Sequence, residues 1–296
     1  MTPLWALVLA AAVCSAPRAQ AAATAWSGGA VGDWNVAANW SLSSVPGPAD
    51  AVSIASGTVL VYSTNAAPSI ASLTLGSPGV SPAAVLRLST GLVVTGTVLL
   101  SNAAALQVAS TQAIRAADMT LLGGASVTLT VDPAASAPGA VLRITASGSL
   151  TLAGGSTVTV RGRGYVQGVG AAAGAGAGGG GAGSAASGGG GAGHGGAGGA
   201  GGSAANGGGT FDSLEPSDAG GGGGGTPSSD GGAGGGVIIL IASTATIDGR
   251  VDADGADGQT VGLEGGGGGA GGSIVIDVDV LRGTGTVSAR GGAGGG

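Results

Sequence analysis

The densest set of side chains that could do chemistry is a run of carboxylates near the C-terminus. Asp252, Asp254 and Asp257 lie two and three positions apart, and carboxylates so spaced on a turn could bind Ca²⁺. Taking Asp252 and Asp254 as the first and third ligands of a helix-loop-helix calcium loop places Ala256 fifth and Leu263 where the bidentate acid belongs. The spacing therefore favours a solvated acidic turn, and a metal site on the three aspartates is the alternative.

A second candidate site is a cluster of tryptophans near the N-terminus. Trp26, Trp34 and Trp40 are close together in the sequence. Their rings could stack on sugars, or they could close the open end of a stack of strands, because an exposed strand edge invites aggregation. The sequence favours an end cap, and carbohydrate contact through these three residues is the alternative.

The remaining side chains give little support for catalysis. His194 is the single histidine and lies between glycines, where no rigid base or metal ligand is expected. Arg143, Arg161 and Arg163 are the nearest candidates for cleaving a polysaccharide, but they have no neighbouring paired carboxylates. We therefore predict a protein without catalytic activity that needs no cofactor, and polysaccharide degradation is the rival hypothesis.

Charge and composition restrict both the partners and the core. The chain has 9 basic residues, all of them arginine, and 15 acidic residues, which gives a net charge of −6. This acidity disfavours nucleic-acid binding. Aromatic residues make up 2% of the chain, whereas glycine accounts for 69 residues. Thin, repetitive packing is therefore favoured over a large three-dimensional core.

The first 21 residues have the pattern of a secretory signal peptide. An apolar stretch over residues 4–16 precedes Ala19, Gln20 and Ala21, a small-x-small cleavage pattern. This stretch is too short to span a membrane, and no later segment is suited to doing so. Removal of the signal takes away Cys14, the single cysteine, and with it any disulfide. We predict a secreted or cell-surface protein.

Between residues 73 and 160 a short apolar strand is expected about every nine residues. The predicted strands are 73–75, 85–88, 92–94, 98–100, 106–108, 119–122, 127–131, 141–144, 150–152 and 158–160. This spacing fits a sandwich, a barrel or a stack of coils. No Asn-Gly or Asp-Gly hairpin signal occurs in this stretch, so parallel coils are favoured.

The C-terminal part of the chain repeats itself at an offset of 36 residues. The aligned identities are Gly249/Gly285, Val251/Val287, Ala253/Ala289 and Gly255/Gly291. In the second copy one strand face is predicted to be apolar and buried, and it consists of Ile274, Ile276, Val278 and Val280. The chain stops in glycines where the earlier copy continues, so we expect it to be a fragment of a longer product.

Residues 168–236 are dominated by glycine, with alanine and serine. Glycine loses the most backbone entropy on ordering, and this segment has few side chains to bury in return. We therefore predict a long, flexible glycine-rich insertion. The predicted division of the chain is a signal peptide (1–21), a tryptophan-containing cap with the first strands (22–72), a β-solenoid block (73–167), the glycine-rich segment (168–236) and glycine-rich β repeats (237–296).

Three N-terminal motifs resemble those of a known class of proteins. Trp26-Ser-Gly-Gly, Gly32-Asp-Trp34 and Asn39-Trp-Ser41 resemble the opening of bacterial autotransporter-passenger-like, adhesin-like β-helix proteins. The resemblance implies an all-β fold, a secreted parallel β-helix or β-solenoid used for display or adhesion. It implies no catalytic residues. The partners expected for such a protein are extracellular glycans or matrix and cell-surface proteins.

Overall fold

The computed structural model describes residues 22–62, 66–109, 112–130, 140–202, 205–211 and 218–296. The described chain is all-β and is built from parallel sheets. The predicted signal peptide, residues 1–21, lies outside the described residues. In the described ranges, no helix has both the length and the apolar character that crossing a membrane requires.

The strands are short, and several have only two to four residues. In chain order they are β1 (Ala23–Ala25), β2 (Val31–Asp33), β3 (Ala51–Ile54), β4 (Thr58–Val61), β5 (Ser69–Ile70), β6 (Ser72–Leu75), β7 (Val85–Leu88), β8 (Leu92–Val94), β9 (Thr97–Leu100), β10 (Ala105–Ala109), β11 (Ala113–Ala116), β12 (Asp118–Leu121), β13 (Ser126–Thr130), β14 (Val141–Ala146), β15 (Ser149–Leu152), β16 (Thr157–Thr159), β17 (Val237–Ile247), β18 (Arg250–Asp252), β19 (Thr260–Val261), β20 (Glu264–Gly265), β21 (Ser273–Arg282) and β22 (Thr286–Ser288). A turn of 3-10 helix covers Ala37–Asn39.

Most strands pair with the strand three places along the chain. A twelve-stranded sheet has the order β1-β3-β6-β9-β12-β15-β17-β14-β11-β8-β5, and β21 lies beside β17. An eight-stranded sheet has the order β2-β4-β7-β10-β13-β16-β18-β22. The pairs in both sheets are parallel, whereas β19 and β20 form a separate antiparallel pair. Since parallel neighbours need a crossover between them, the chain passes repeatedly through both sheets, consistent with a β-helix-like fold.

One sheet is strongly curled, and within the twelve-stranded sheet β17 pairs with two strands in succession. Residues 237–241 of β17 pair with β14, and residues 244–247 pair with β15. β14 and β15 are consecutive strands separated by a corner of the chain. A single long strand therefore joins two ladders that are formed by separate short strands earlier in the chain.

Aliphatic side chains fill the space between the sheets. Strands alternate inward and outward residues, as in β7, where Leu86 and Leu88 are buried and Arg87 is exposed. Pairing in register places Leu106 between Leu86 and Val127 on neighbouring strands. Full burial of one such side chain is worth about 1.5–3 kcal/mol. A narrow aliphatic column can therefore stabilise a chain that has few aromatic residues.

The ten strands predicted between residues 73 and 160 are confirmed, with small shifts at their ends. One further strand, β11, was not predicted. Its only large apolar residue is Ile114, which is fully buried and flanked by Ala113 and Arg115. A single apolar residue gives no alternating pattern, so the sequence does not reveal this strand.

The apolar face predicted in the second C-terminal copy is only partly buried. Ile274, Ile276 and Val278 pack against the core, while Val280 is 39% exposed. Among the described residues β21 pairs with β17 alone. Its other edge has no covering strand in the described chain, which accounts for the partial burial.

The glycine-rich residues form extended segments joined by backbone hydrogen bonds. We call this region the glycine array, and it comprises residues 164–183, 188–201, 205–209, 219–226, 230–236, 253–259, 265–272 and 289–296. The array includes the glycine runs of the C-terminal repeat as well as the segment between β16 and β17. The two glycine-rich regions predicted separately are therefore parts of one structure.

Residues 220–225 lie at the centre of the glycine array. Their N–H groups donate to three segments, with Gly220 and Gly223 bonded to 230–236, Gly222 and Gly225 to 172–175, and Gly224 to 190. Their carbonyl groups accept from three others, namely 165–168, 180–183 and 267–270. Bonds in one direction recur every third residue, which is the period of a polyproline II helix. One extended strand with threefold symmetry is thus surrounded by six neighbours.

Close approach explains why these positions are glycine. A Cβ atom at Gly222 would overlap the carbonyl oxygen of Val166, and one at Gly224 would overlap that of Gly181. The composition alone predicted a flexible insertion over residues 168–236. The structure differs, because hydrogen bonds between bare backbones replace the side-chain burial that the segment lacks.

Candidate functional site

The three tryptophans form a contiguous cluster beside β1 and β2. The Trp34 and Trp40 ring centroids are 4.7 Å apart and the Trp26 and Trp40 centroids 5.2 Å apart, with both pairs close to edge-to-face. Trp40 Nε1 donates to the Trp34 carbonyl at 2.7 Å, and Trp26 Nε1 donates to the Gly29 carbonyl at 3.0 Å. The indole N–H groups of Trp26 and Trp40 are thus both satisfied by nearby backbone carbonyls.

Burial decides which ring faces are open to a ligand. Trp34 and Trp40 are 2% and 1% exposed and belong to the aliphatic core, while Trp26 is half-buried against it. β1 and β2 are the first strands of their sheets, so the cluster lies over one end of the column. This placement supports an end cap. Stacking of a sugar on Trp34 or Trp40 would require the cluster to open, which leaves Trp26 as the residue available for carbohydrate contact.

The acidic run lies where β18 leaves the eight-stranded sheet, and two of its members are buried. Asp252 and Asp254 are each 6% exposed, which differs from the solvated turn that the spacing favours. Arg250 forms a salt bridge with each of them. Its Nε lies 3.1 Å from Asp252 Oδ2, and its Nη2 lies 2.7 Å from Asp254 Oδ2. Asp257 lies further along and contacts Arg161 at 3.3 Å. Within the described ranges, no cluster of three or more histidine, cysteine, aspartate or glutamate side chains is arranged so that it could hold a metal ion.

Three aspartates in this part of the chain bond to the backbone of the next copy of the repeat. Asp254 Oδ1 accepts from Arg290 N–H at 2.6 Å, and Asp257 Oδ1 accepts from Ala293 N–H at 2.8 Å, each across 36 residues. Asp248 Oδ1 accepts from Thr284 N–H at 2.9 Å across the same offset. The predicted repeat of 36 residues is confirmed as the spacing between stacked copies. Its aspartates act as acceptors that join one copy to the next.

The environment of Asp254 shifts its proton equilibrium. Burial alone would raise the pKa of Asp254, but the Arg290 N–H, the Ser288 hydroxyl at 2.5 Å and the Arg250 charge together hold it below its ordinary value. Hydrogen bonding to Asp252 raises the pKa of Arg250 above its ordinary value. The carboxylate of Asp254 is therefore kept ionised and fully bonded, which suits a structural acceptor.

An equivalent bond occurs earlier in the chain, between β12 and β15. Asp118 Oδ1 accepts from the Ser149 hydroxyl at 2.7 Å and from the Ser149 N–H at 2.8 Å. Both bonds lower the pKa of Asp118, and the bond from the hydroxyl has the larger effect. Sequence reasoning missed this acceptor, because nothing in the sequence indicates that the two residues are neighbours.

The outer face of the twelve-stranded sheet carries hydroxyl groups in register. Thr120, Thr151 and Thr246 form one column across β12, β15 and β17, and Ser149 and Thr244 lie in the adjacent column. Neighbouring strands are about 4.8 Å apart, so the hydroxyls recur at a regular spacing. The alignment of these hydroxyls depends on the register of strands that are distant in sequence.

The side chains weighed for catalysis are dispersed. Arg143 faces outward on β14, Arg161 contacts Asp257, and burial lowers the pKa of Arg163. His194 is 7% exposed inside the glycine array, and its Nδ1 lies 2.9 Å from the Gly271 carbonyl oxygen. The imidazole is thus held in place, which differs from the flexible setting expected from the flanking glycines.

No protein-family model, no curated protein and no solved structure matches this chain. The N-terminal resemblance to autotransporter-passenger-like proteins accordingly remains a prediction. Function is inferred from the residues and their geometry alone.

Proposed function

We propose that this chain is a β-solenoid from a secreted or cell-surface protein with a structural and adhesive role. The observation that carries this proposal is the outer face of Thr120, Thr151 and Thr246, which presents a hydroxyl group on three successive strands of the sheet. A regular array of hydroxyls suits a partner that is itself repetitive, such as a glycan or a fibrous matrix protein. The aliphatic column behind it holds the array rigid.

The strand order supports the solenoid assignment. Most strands pair with the strand three places along the chain, as expected if each group of three strands is one coil stacked on the last. The location outside the cell is supported by the apolar stretch over residues 4–16 and the small-x-small pattern at Ala19 to Ala21.

An adhesion assay tests the outer face. Beads coated with the purified protein are expected to attach to polysaccharide or matrix-protein surfaces. The double variant Thr151→Glu with Thr246→Glu places two like charges in one column and should reduce attachment by about tenfold. The matched control is Thr128→Glu with Thr159→Glu, which makes the same change on the eight-stranded sheet and should leave attachment unchanged.

The far-ultraviolet circular dichroism of both double variants should match that of the parent protein. Equal attachment by all three proteins would show that the outer face is not the adhesive surface. Release of soluble sugar from a polysaccharide would instead favour the degradative alternative.

A further inference from the structure

Residues 265–272 of the glycine array have five neighbouring segments. Their N–H groups donate to 219–226 and 253–259, and their carbonyl groups accept from 230–236, 289–296 and 188–193. Residues 220–225, by contrast, are bonded to six segments. In an array with threefold strands, one position next to residues 265–272 is therefore left open by the described chain.

Two backbone donors are directed at the open position. Successive N–H groups of an extended strand with threefold symmetry point in three directions in turn. Gly267 and Ala270 donate to 219–226, and Gly266 and Gly269 donate to 253–259. The N–H group of Gly268 therefore points in the third direction. Gly271 follows three residues later and shares this direction. Both Gly268 and Gly271 are buried, and neither N–H donates to another described residue. A buried N–H without an acceptor is costly, so this direction favours a partner carbonyl.

A groove occupies the same place. It has a volume of about 490 Å³ and is lined by residues 188–189, 191–192, 197–202, 265–269, 291–292 and 294–295. It continues into a second cavity of about 510 Å³ that shares Ala192, Ala197 and Gly291 with the first. The wall formed by residues 188–192 adjoins the Gly268 strand, since the Ala192 N–H donates to the Gly268 carbonyl, and the carbonyl oxygens of Gly189 and Ala192 accept no hydrogen bond from the described residues. The groove thus offers donors on one wall and acceptors on another, each pair three residues apart.

We propose that this groove binds an extended glycine-rich strand of a separate partner protein. The five occupied positions around residues 265–272 all hold extended, glycine-rich strands, and the open one has the same threefold spacing of donors. The guest carbonyls would accept from Gly268 and Gly271, and its N–H groups would donate to Gly189 and Ala192. This inference does not depend on the adhesive face, which lies on the twelve-stranded sheet.

A peptide titration tests the groove. The probe is a synthetic peptide with the sequence of residues 218–226, flanked by two lysines at each end for solubility. Addition of the peptide to the ¹⁵N-labelled protein should shift the amide signals of Gly268 and Gly271 in a saturable way. A control peptide with alanine at alternate glycines should bind about tenfold more weakly, because its methyl groups would meet the bare backbone of the walls.

A protein variant supplies the second arm of the test. A Cβ at Gly291 would have the Gly269 carbonyl oxygen as its nearest neighbour, at 3.5 Å, so Gly291→Val should fold while its side chain obstructs the groove. Its peptide affinity should fall about tenfold. The matched control is Gly154→Val, at a position with open space around the added atom and outside the groove, and it should bind like the parent protein.

Three outcomes would overturn the proposal. They are equal binding of the two peptides, unchanged signals of Gly268 and Gly271, and equal binding by Gly291→Val and Gly154→Val. Analytical ultracentrifugation without peptide measures whether the protein self-associates, and so distinguishes a separate partner from a second copy of this chain. Self-association that Gly291→Val abolishes would show that the occupant is a second copy of this chain and not a separate partner.

Discussion

The carboxylate of Asp254 accepts a hydrogen bond of 2.6 Å from the backbone N–H of Arg290, 36 residues further along the chain. The same carboxylate bonds to the Ser288 hydroxyl and pairs with Arg250. One side chain therefore connects two copies of the repeat and pairs with a cation of its own copy. This relationship makes the acidic run part of the framework of the stack.

Replacement of Asp254 by alanine should destabilise the protein. Asp254→Ala leaves the Ser288 hydroxyl, the Arg290 N–H and the Arg250 guanidinium without this acceptor, and we expect the free energy of unfolding to fall by about 2–4 kcal/mol. Urea unfolding followed by circular dichroism at pH 7 measures the change. Asp277→Ala is the control, since Asp277 is exposed on β21, and its effect should stay within about 0.5 kcal/mol. Equal losses in the two variants would contradict the structural role of Asp254.

The depressed pKa of Asp254 predicts a loss of stability in acid. Because its pKa is lower in the folded protein than in the unfolded chain, the carboxylate contributes stability above the ordinary aspartate pKa, and this contribution disappears as the pH falls through the folded value. The melting temperature should therefore fall below about pH 4. Asp118 contributes with the same sign.

The variant Asp254→Asn isolates the contribution of Asp254 to this acid sensitivity. It lacks the titrating group, so its melting temperature should be lower than that of the parent protein near neutral pH and should depend less on pH below about 4. Melting curves recorded in a series of buffers provide the comparison. Identical slopes for the parent and the variant would assign the acid sensitivity to other groups.

The aliphatic strands could be predicted from the sequence because their signal is local. Leu86 and Leu88 alternate with Arg87 within a single strand, and this pattern fixes which face is buried. The 36-residue repeat could be predicted because identical residues recur in the sequence. β11 could not be predicted, since Ile114 is its only large apolar residue and a single residue gives no alternating pattern.

The glycine array and the acceptor role of Asp254 depend on contacts between distant segments. Position 222 requires glycine because a Cβ atom there would overlap the carbonyl oxygen of Val166, and no local pattern in the sequence relates these two residues. The entropy argument for a flexible segment considered only side-chain burial, and it omitted the hydrogen bonds that bare backbones can form with each other. For the same reason, the buried state of Asp254 could not be inferred from its acidic neighbours.

Substitution in the centre of the glycine array should distinguish an ordered array from a flexible segment. Gly222→Ala forces a methyl group against the Val166 carbonyl, and we expect a loss of roughly 1–3 kcal/mol in the free energy of unfolding. Gly154→Ala is the matched control, because its added methyl group meets open space. Thermal unfolding and limited proteolysis with mass mapping measure both. Equal melting temperatures, with cleavage spread over residues 168–236, would instead support the flexible insertion.

The tryptophan cluster can be tested by separating its buried and half-buried members. Trp40→Ala removes a side chain that is 1% exposed and is packed edge-to-face against Trp26 and Trp34, so it should cost about 3–5 kcal/mol of stability. Trp26→Ala removes a half-buried ring and should cost less. Chemical unfolding gives both values, and a glycan array compares binding by the two variants with that of the parent protein. Loss of glycan binding in Trp26→Ala, with unchanged circular dichroism, would show that the cap also contacts carbohydrate. If Trp40→Ala were no less stable than Trp26→Ala, the cluster could not be the cap of the column, because the ring most deeply embedded in the core would then contribute least to it.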